Sequence, residues 1–165
     1  MERFAIPGAG GIIESRIEGV DYLLIQERYK DEAPGEAGLV EIPAGKVREF
    51  ENIFDCLRRE IKEETGLDTV EIYGENECEI IEENGYRVIS YTPFSCSQNL
   101  TGSYPIMVQV FICRVEGSVL KATNETKNMR WASLKELKQL LENNRSLLYP
   151  MHISTLKKYL EWKGI

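Results

Sequence analysis

The sequence predicts an α/β protein: a mixed β-sheet with helices on its faces. Three observations predict it. Strand-like and helix-like stretches interleave along 165 residues without a regular βαβ repeat. The runs YLLIQ (Tyr22–Gln26) and PIMVQVFICRV (Pro105–Val115) are apolar and β-prone, which suits buried strands. Between residues 51 and 65, and again after residue 133, the apolar residues fall at helical spacing.

Taken in order, Phe4 to Glu14 (FAIPGAGGIIE) mixes apolar residues with glycines and reads as a strand meeting a bend. Tyr22 to Gln26 is a buried strand ended by charges, and YKDEAPGEAG is a turn-rich loop. Gly38 to Ile42 is a short strand closed by Pro43-Ala44-Gly45, and a central helix follows over 51–65. Thr69 to Ile81 and Arg87 to Phe94 read as strands joined by a Glu-Asn-Gly turn. Pro105 to Val115 is the most β-prone run. Asn124 to Trp131 is a polar loop entering a strand edge. Ser133 caps a helix to Asn143, with Glu136 three residues on and Leu134, Leu137, Leu140 and Leu141 on one face. Ile153 to Trp162 is a last amphipathic helix.

The length suits a single domain, 1–165, with a real core. No apolar run approaches a membrane span, and the N-terminus lacks a signal-peptide pattern. A cytoplasmic setting and no membrane partner are the expectation. Cys56, Cys78, Cys96 and Cys113 have no close-pair spacing and read as reduced thiols. A net charge of −7 argues against binding a nucleic-acid backbone. A small phosphorylated partner stays compatible, because a divalent metal can bridge phosphate to carboxylates.

On a helix at 100° per residue, Ile53, Phe54, Leu57 and Ile61 share one arc. Glu60, Glu63 and Glu64 share the neighbouring arc, at i, i+3 and i+4. Like charges at that spacing destabilise a helix by a few tenths of a kcal/mol per pair. Their repulsion and partial burial raise at least one pKa unless a cation sits among them. Hard oxygen ligands in this pattern suit Mg²⁺ or Mn²⁺. Such a metal would hold diphosphate oxygens and lower the pKa of a bound water that attacks phosphorus. Arg59 lies near Glu63 in projection and could orient it. The alternative is a solvated acidic face.

The stretch Gly45–Leu67, GKVREFENIFDCLRREIKEETGL, has the spacing G-x5-E-x7-R-E-U-x-E-E-x-G-U, with U aliphatic and every position filled. It resembles the signature of the Nudix hydrolases. The resemblance implies a Nudix-type α/β/α sandwich with a mixed β-sheet and cleavage of phosphoanhydride bonds with Mg²⁺ or Mn²⁺. It implies Glu60 and Glu64 as direct metal ligands and Glu63 as a ligand or water-mediated partner. It also implies that Arg59 pairs with Glu51 to brace the loop–helix joint. A main-chain carbonyl near Ala44 or Gly45 is a further candidate ligand. Several members add a base from a later loop. The counterpart here is Glu125 in NETKNMRW, ahead of WASLKEL, against the alternative of an ordinary exposed glutamate. The lone His152, beyond these elements, reads as structural or surface.

EIPAGK resembles the lead-in of ADP-ribose and nucleotide-sugar pyrophosphatases, with Glu41 as a site acid and Arg28 as a phosphate-binding base. Their downstream Ser-Pro-Gly…Glu stretch has no counterpart in SCSQNLTGSYPIMVQVF. Tyr29, Tyr91, Phe94 and Tyr104 are candidates for stacking on a base. The favoured substrate is a nucleoside diphosphate linked to another moiety. A MutT-like nucleoside triphosphate pyrophosphatase is the enzymatic alternative; dinucleoside polyphosphates and diphosphoinositols are further ones. A non-catalytic nucleotide-sensing domain would not need the costly glutamate cluster. An isoprenoid diphosphate isomerase would need a protonating Cys–Glu pair that cannot be assigned. Many relatives dimerise, and the N-terminal strands or the C-terminal helix offer surfaces for a homodimer.

Overall fold

A computed structural model describes residues 1–102 and 104–165. Its elements are β1 (Ile6–Ile17), β2 (Val20–Arg28), β3 (Val40–Glu41), β4 (Ala44–Lys46), α1 (Ile53–Thr65), β5 (Asp68–Ile72), β6 (Glu79–Glu83), β7 (Tyr86–Ser90), β8 (Ser95–Gln98), β9 (Ile106–Glu116), β10 (Thr126–Ser133), α2 (Leu134–Asn143) and α3 (Pro150–Trp162). Eight strands join one mixed sheet in the order β10-β2-β1-β9-β5, with β3 beside β2, β4 beside β1 and β8 beside β9. β1 and β9 run parallel, from the Ile6–Ile106 pair to the Glu14–Arg114 pair.

Alternation along the central strands creates two cores. Ile12, Leu23, Ile25, Val110 and Ile112 face α2 and α3. Ile13, Leu24, Phe111 and Cys113 face α1. With side chains of period two, each such strand is covered on both faces, which explains its continuous apolar run. The result is the expected sandwich. Ile53, Phe54, Leu57 and Ile61 of α1 are all buried, and burying such a side chain contributes about 1.5–3 kcal/mol. Close approach of α1 to β1 needs Gly11, where a Cβ would lie 3.1 Å from Ile61 Cδ1 and 3.2 Å from Cys113 Sγ.

β1 forks the sheet. Gly8–Gly10 pair with β4, whereas Glu14–Ile17 pair with β2. Gly11 N–H donates to Pro43 O between the two pairings (2.9 Å). β4 is thereby held beside β1 and delivers the chain to α1.

Several boundaries differ from expectation. α1 begins at Ile53, because Asn52 caps it by accepting from Phe54 N–H (2.8 Å). Glu51 therefore precedes the helix rather than riding on it. Gly66 ends α1 with φ +79°, so the helix stops at residue 65 as the expected 51–65 span has it. The run Thr69–Ile81 is two strands. It breaks at Gly74 (φ +87°), where the chain leaves the main sheet after β5 and goes on to β6, which forms a separate hairpin with β7. Asn84 and Gly85, both at positive φ, make the turn of that hairpin. β8 was not expected. Its SCSQ sequence has no apolar face, and pairing with β9 defines it. The Ser133 cap of α2 is as expected (3.2 Å to Glu136 N), while α3 begins at Pro150, three residues early. Ser103, within the 95–105 stretch, lies outside the described residues. Among the described residues no helix is long and apolar enough to cross a membrane.

Candidate active site

β4 passes directly over the acidic face of α1. A Cβ at Gly45 would fall 1.9 Å from Glu60 Cδ, so the main chain and the carboxyl are in contact there. One turn further, Glu64 turns inward beneath β4. Its Oε2 accepts from Ala44 N–H (3.1 Å) and Gln26 Nε2 (3.0 Å). Its Oε1 is buried with no hydrogen-bond partner among the described residues, and the Lys30 ammonium lies 3.7 Å away. Burial, then Glu41, push the Glu64 carboxyl up to about 8, with Glu60 adding and Lys30 and Gln26 opposing. Glu63 points outward, its side chain 54% exposed, toward Arg48 and Arg59.

Glu64 thus takes donors from β4 and β2, whereas Glu60 and Glu63 share the Arg59 guanidinium. Among the described residues no three His, Cys, Asp or Glu side chains gather around one point. Glu60 and Glu64 bracket β4, and Glu63 sits at the rim, joined to Glu60 through Arg59 Nη1.

Arg59 organises the opposite side. Its guanidinium bonds both oxygens of Glu51 (2.7 and 2.9 Å), Glu60 Oε1 (2.5 Å), Glu63 Oε2 (3.3 Å) and Lys46 O (3.1 Å). Glu51 also accepts from Arg48 N–H (2.9 Å). The bidentate Arg59 bond, with the Arg48 amide, holds the Glu51 carboxyl down at about 2. Cys56 lies inside this bracing, and burial pushes its thiol up to about 12, so it packs as a neutral group.

Above the carboxyls opens a cavity of about 480 Å³. Lys30, Lys46 and Arg48 line it together with Glu60, Glu63 and Glu125. Glu125 is placed there by its main chain, which accepts from Tyr29 N–H (2.7 Å), and its Oε2 pairs with Lys30 (3.1 Å). Burial acts to lower the Lys30 ammonium, but Glu64, Glu41 and Glu125 outweigh it and raise it. Arg28 and Glu41 also line the cavity. Arg28 is buried and bonds Glu36 (2.5 Å) and Glu41 (3.1 Å), its guanidinium 4.4 Å over the Tyr149 ring. Burial pushes Glu41 up, opposed by Arg28 and Lys30.

Of the stacking candidates, Tyr104 lines the cavity. Tyr91 packs edge-on against Phe54, and Phe94 packs against Tyr159 and Trp162. Tyr29 carries Lys127 over its ring (4.3 Å).

Sequence reasoning missed Lys30 and Gln26; it read His152 as structural or surface, and the structure gives it a structural bond but also a place in the cavity wall. Gln26 joins Glu64 to Glu41 (3.0 and 3.3 Å). A lone amide ending the apolar run YLLIQ was the available signal. His152 is buried and lines the cavity. Its Nδ1 accepts from Ile42 N–H (3.2 Å), tying α3 to the strand that leads into β4. Burial, with Arg28 and Lys30, pushes it down to about 3, so it is neutral.

The site and fold together define an α/β protein in which a mixed sheet sets a carboxylate-bearing helix beneath a cavity lined by lysines, arginines and carboxylates. The chain belongs to the NUDIX domain family, whose model matches residues 7–151. A segment of 62 residues is 44% identical to Nudix hydrolase 8 of Arabidopsis thaliana, covering 38% of this chain and 16% of that protein. Among solved structures, the fold resembles the NUDIX domain of Shewanella oneidensis NrtR complexed with ADP ribose. There the TM-score is 0.68 at 12% identity, over 98% of this chain and 90% of that one. It also resembles a MutT protein from Methanosarcina mazei Go1 (TM-score 0.66, 18% identity, 99% and 98% covered). A C. elegans Ap4A hydrolase is similar too (TM-score 0.57, 16% identity, 96% and 98% covered).

Proposed function

We propose that the protein is a metal-dependent pyrophosphohydrolase that cleaves a nucleoside diphosphate linked to another moiety, of ADP-ribose or nucleotide-sugar type. One observation carries this reading: Glu60 lies against bare main chain at Gly45 while the buried Oε1 of Glu64 has no hydrogen-bond partner among the described residues, both beneath a cavity lined by lysines and arginines as well as carboxylates. The donor set is hard oxygen and fits Mg²⁺ or Mn²⁺. Glu60, Glu63, Glu64 and the Ala44 carbonyl would hold it. When bound, such a metal polarises phosphoryl oxygens and lowers the pKa of a bound water.

The chain's own residues divide the remaining work. Lys30, Lys46 and Arg48 draw the diphosphate into the cavity. Arg59, braced by Glu51, holds Glu60 and Glu63 in place. Glu125, at the cavity edge and partly exposed, is the proton acceptor for the attacking water. Arg28 is spent on Glu36 and Glu41, so its part is to fix Glu41 at the substrate end. Tyr104 offers a face to a base or sugar.

A screen of ADP-ribose, nucleotide sugars, nucleoside triphosphates and dinucleoside polyphosphates with Mg²⁺ or Mn²⁺ tests this, scored by phosphate released after phosphatase coupling. Preference for ADP-ribose or a nucleotide sugar is the expected result. Preference for triphosphates would replace it with the MutT-like reading, and no turnover on any would favour a nucleotide sensor.

A further inference from the structure

We infer that the Lys30 ammonium is a resident counter-ion seated on Glu64, which a divalent cation must displace, so that Lys30 sets the metal affinity of the site. The inference rests on the reading of Glu64 as a metal ligand and adds a residue that tunes it.

Glu64 Oε2 is held by two donors fixed in the fold, the Ala44 amide of β4 and the Gln26 side chain of β2. The Ala44 amide cannot leave without moving β4, and the Gln26 amide is buried and also bonded to Glu41. Oε1 is the remaining coordinating atom, and it has no hydrogen bond and no solvent access. The group over it is Lys30 Nζ at 3.7 Å. A lysine head on a four-carbon stem can move away where a bidentate arginine would resist. Glu125, 3.1 Å from Nζ, gives it a second anchor. Lys30 can therefore leave Glu64 and stay paired, and its side chain is already 22% exposed to solvent. Ammonium and divalent cation cannot share Oε1 at contact distance, since their charges repel. Binding of one releases the other.

Mn²⁺ binding to the full chain, followed by the loss of free Mn²⁺ signal in electron paramagnetic resonance, tests this without turnover. Lys30→Met should bind Mn²⁺ about tenfold tighter than wild type, or about 1.4 kcal/mol. Lys46→Met is the control. Lys46 lines the same cavity and pairs with Glu32, touching none of the three box carboxyls. It should change affinity by about twofold, the generic effect of one screened charge. Lys30→Arg, which keeps the charge in a stiffer head, should bind no tighter than wild type. Lys30→Gln replaces Lys30→Met if the latter fails to fold. Equal binding by wild type and Lys30→Met, or equal gains from Lys30→Met and Lys46→Met, would overturn the inference alone. Absence of binding in all variants would overturn the metal-site reading with it.

Discussion

Gly45 separates two kinds of glycine. Its φ is not in the left-handed range, so its backbone suits alanine. What excludes a side chain is the Glu60 carboxyl, whose Cδ would lie 1.9 Å from the new Cβ and whose oxygens would lie at 2.0 and 2.4 Å. Relief to an ordinary contact of 3.4 Å moves that carboxyl by about 1.5 Å. The carboxyl is the far end of a flexible, partly exposed side chain, so the fold absorbs the move. The main local loss is the bond from Arg59 Nη1 to Glu60 Oε1. Gly45→Ala should therefore cost about 1 kcal/mol of stability or less. Catalysis should suffer far more. A misplacement of about 1 Å at a working group costs on the order of 10²-fold, so turnover should fall about a hundredfold with a nearly unchanged melting temperature. The paired assay is thermal unfolding and hydrolysis of ADP-ribose with Mg²⁺. Full turnover, or a collapse in melting temperature with turnover per folded molecule preserved, would refute the reasoning.

Gly66→Ala should do the reverse. Its φ is +79°, and a Cβ would lie 2.7 Å from Leu120 Cγ, so it should lose about 1–2 kcal/mol while folded molecules keep their activity. Arg59→Ala leaves Glu51 and Glu60 without their shared cation and should lower stability by about 2–4 kcal/mol in urea unfolding, as well as cutting turnover. With chelator present, pH should matter through Glu64. Its folded pKa of about 8 lies above the ordinary carboxyl value of 4.5. Its contribution to stability is thus full below pH 4.5 and is lost as pH rises through 8, on the order of 2–4 kcal/mol. Urea midpoints at pH 5, 7 and 9 check this; Glu64→Gln should flatten the profile, and a profile unaltered by Glu64→Gln would count against it.

The legible parts of the fold were those where local pattern and tertiary environment agree. The Ser133 cap, the Gly66 stop, the Asn84-Gly85 turn and the apolar arc of α1 all depend on residues near in sequence. β8 was not legible, because a polar SCSQ segment is a strand only through pairing with β9. The start of α1 was misplaced because the side-chain oxygen of Asn52 accepts from Phe54 N–H and opens the helix only after it. At the site, helical spacing grouped three glutamates, but it could not tell which donors each would take. Gln26 and the Ala44 amide, 38 and 20 residues away, draw Glu64 inward. Lys30 and His152 reach the cavity from a loop and from α3, through contacts that no local spacing encodes.

The most direct measurement is Mg²⁺-dependent turnover of ADP-ribose, and of the best substrate from the screen, by wild type and Glu64→Gln, each with its circular dichroism spectrum. Gln keeps the size of the side chain and its contacts to Ala44 and Gln26 within reach, while removing the charge that a metal needs. Turnover that requires Mg²⁺ in wild type and falls at least about a hundredfold in a folded Glu64→Gln protein is the predicted result. Turnover that survives chelation, or that Glu64→Gln leaves unchanged, would contradict it.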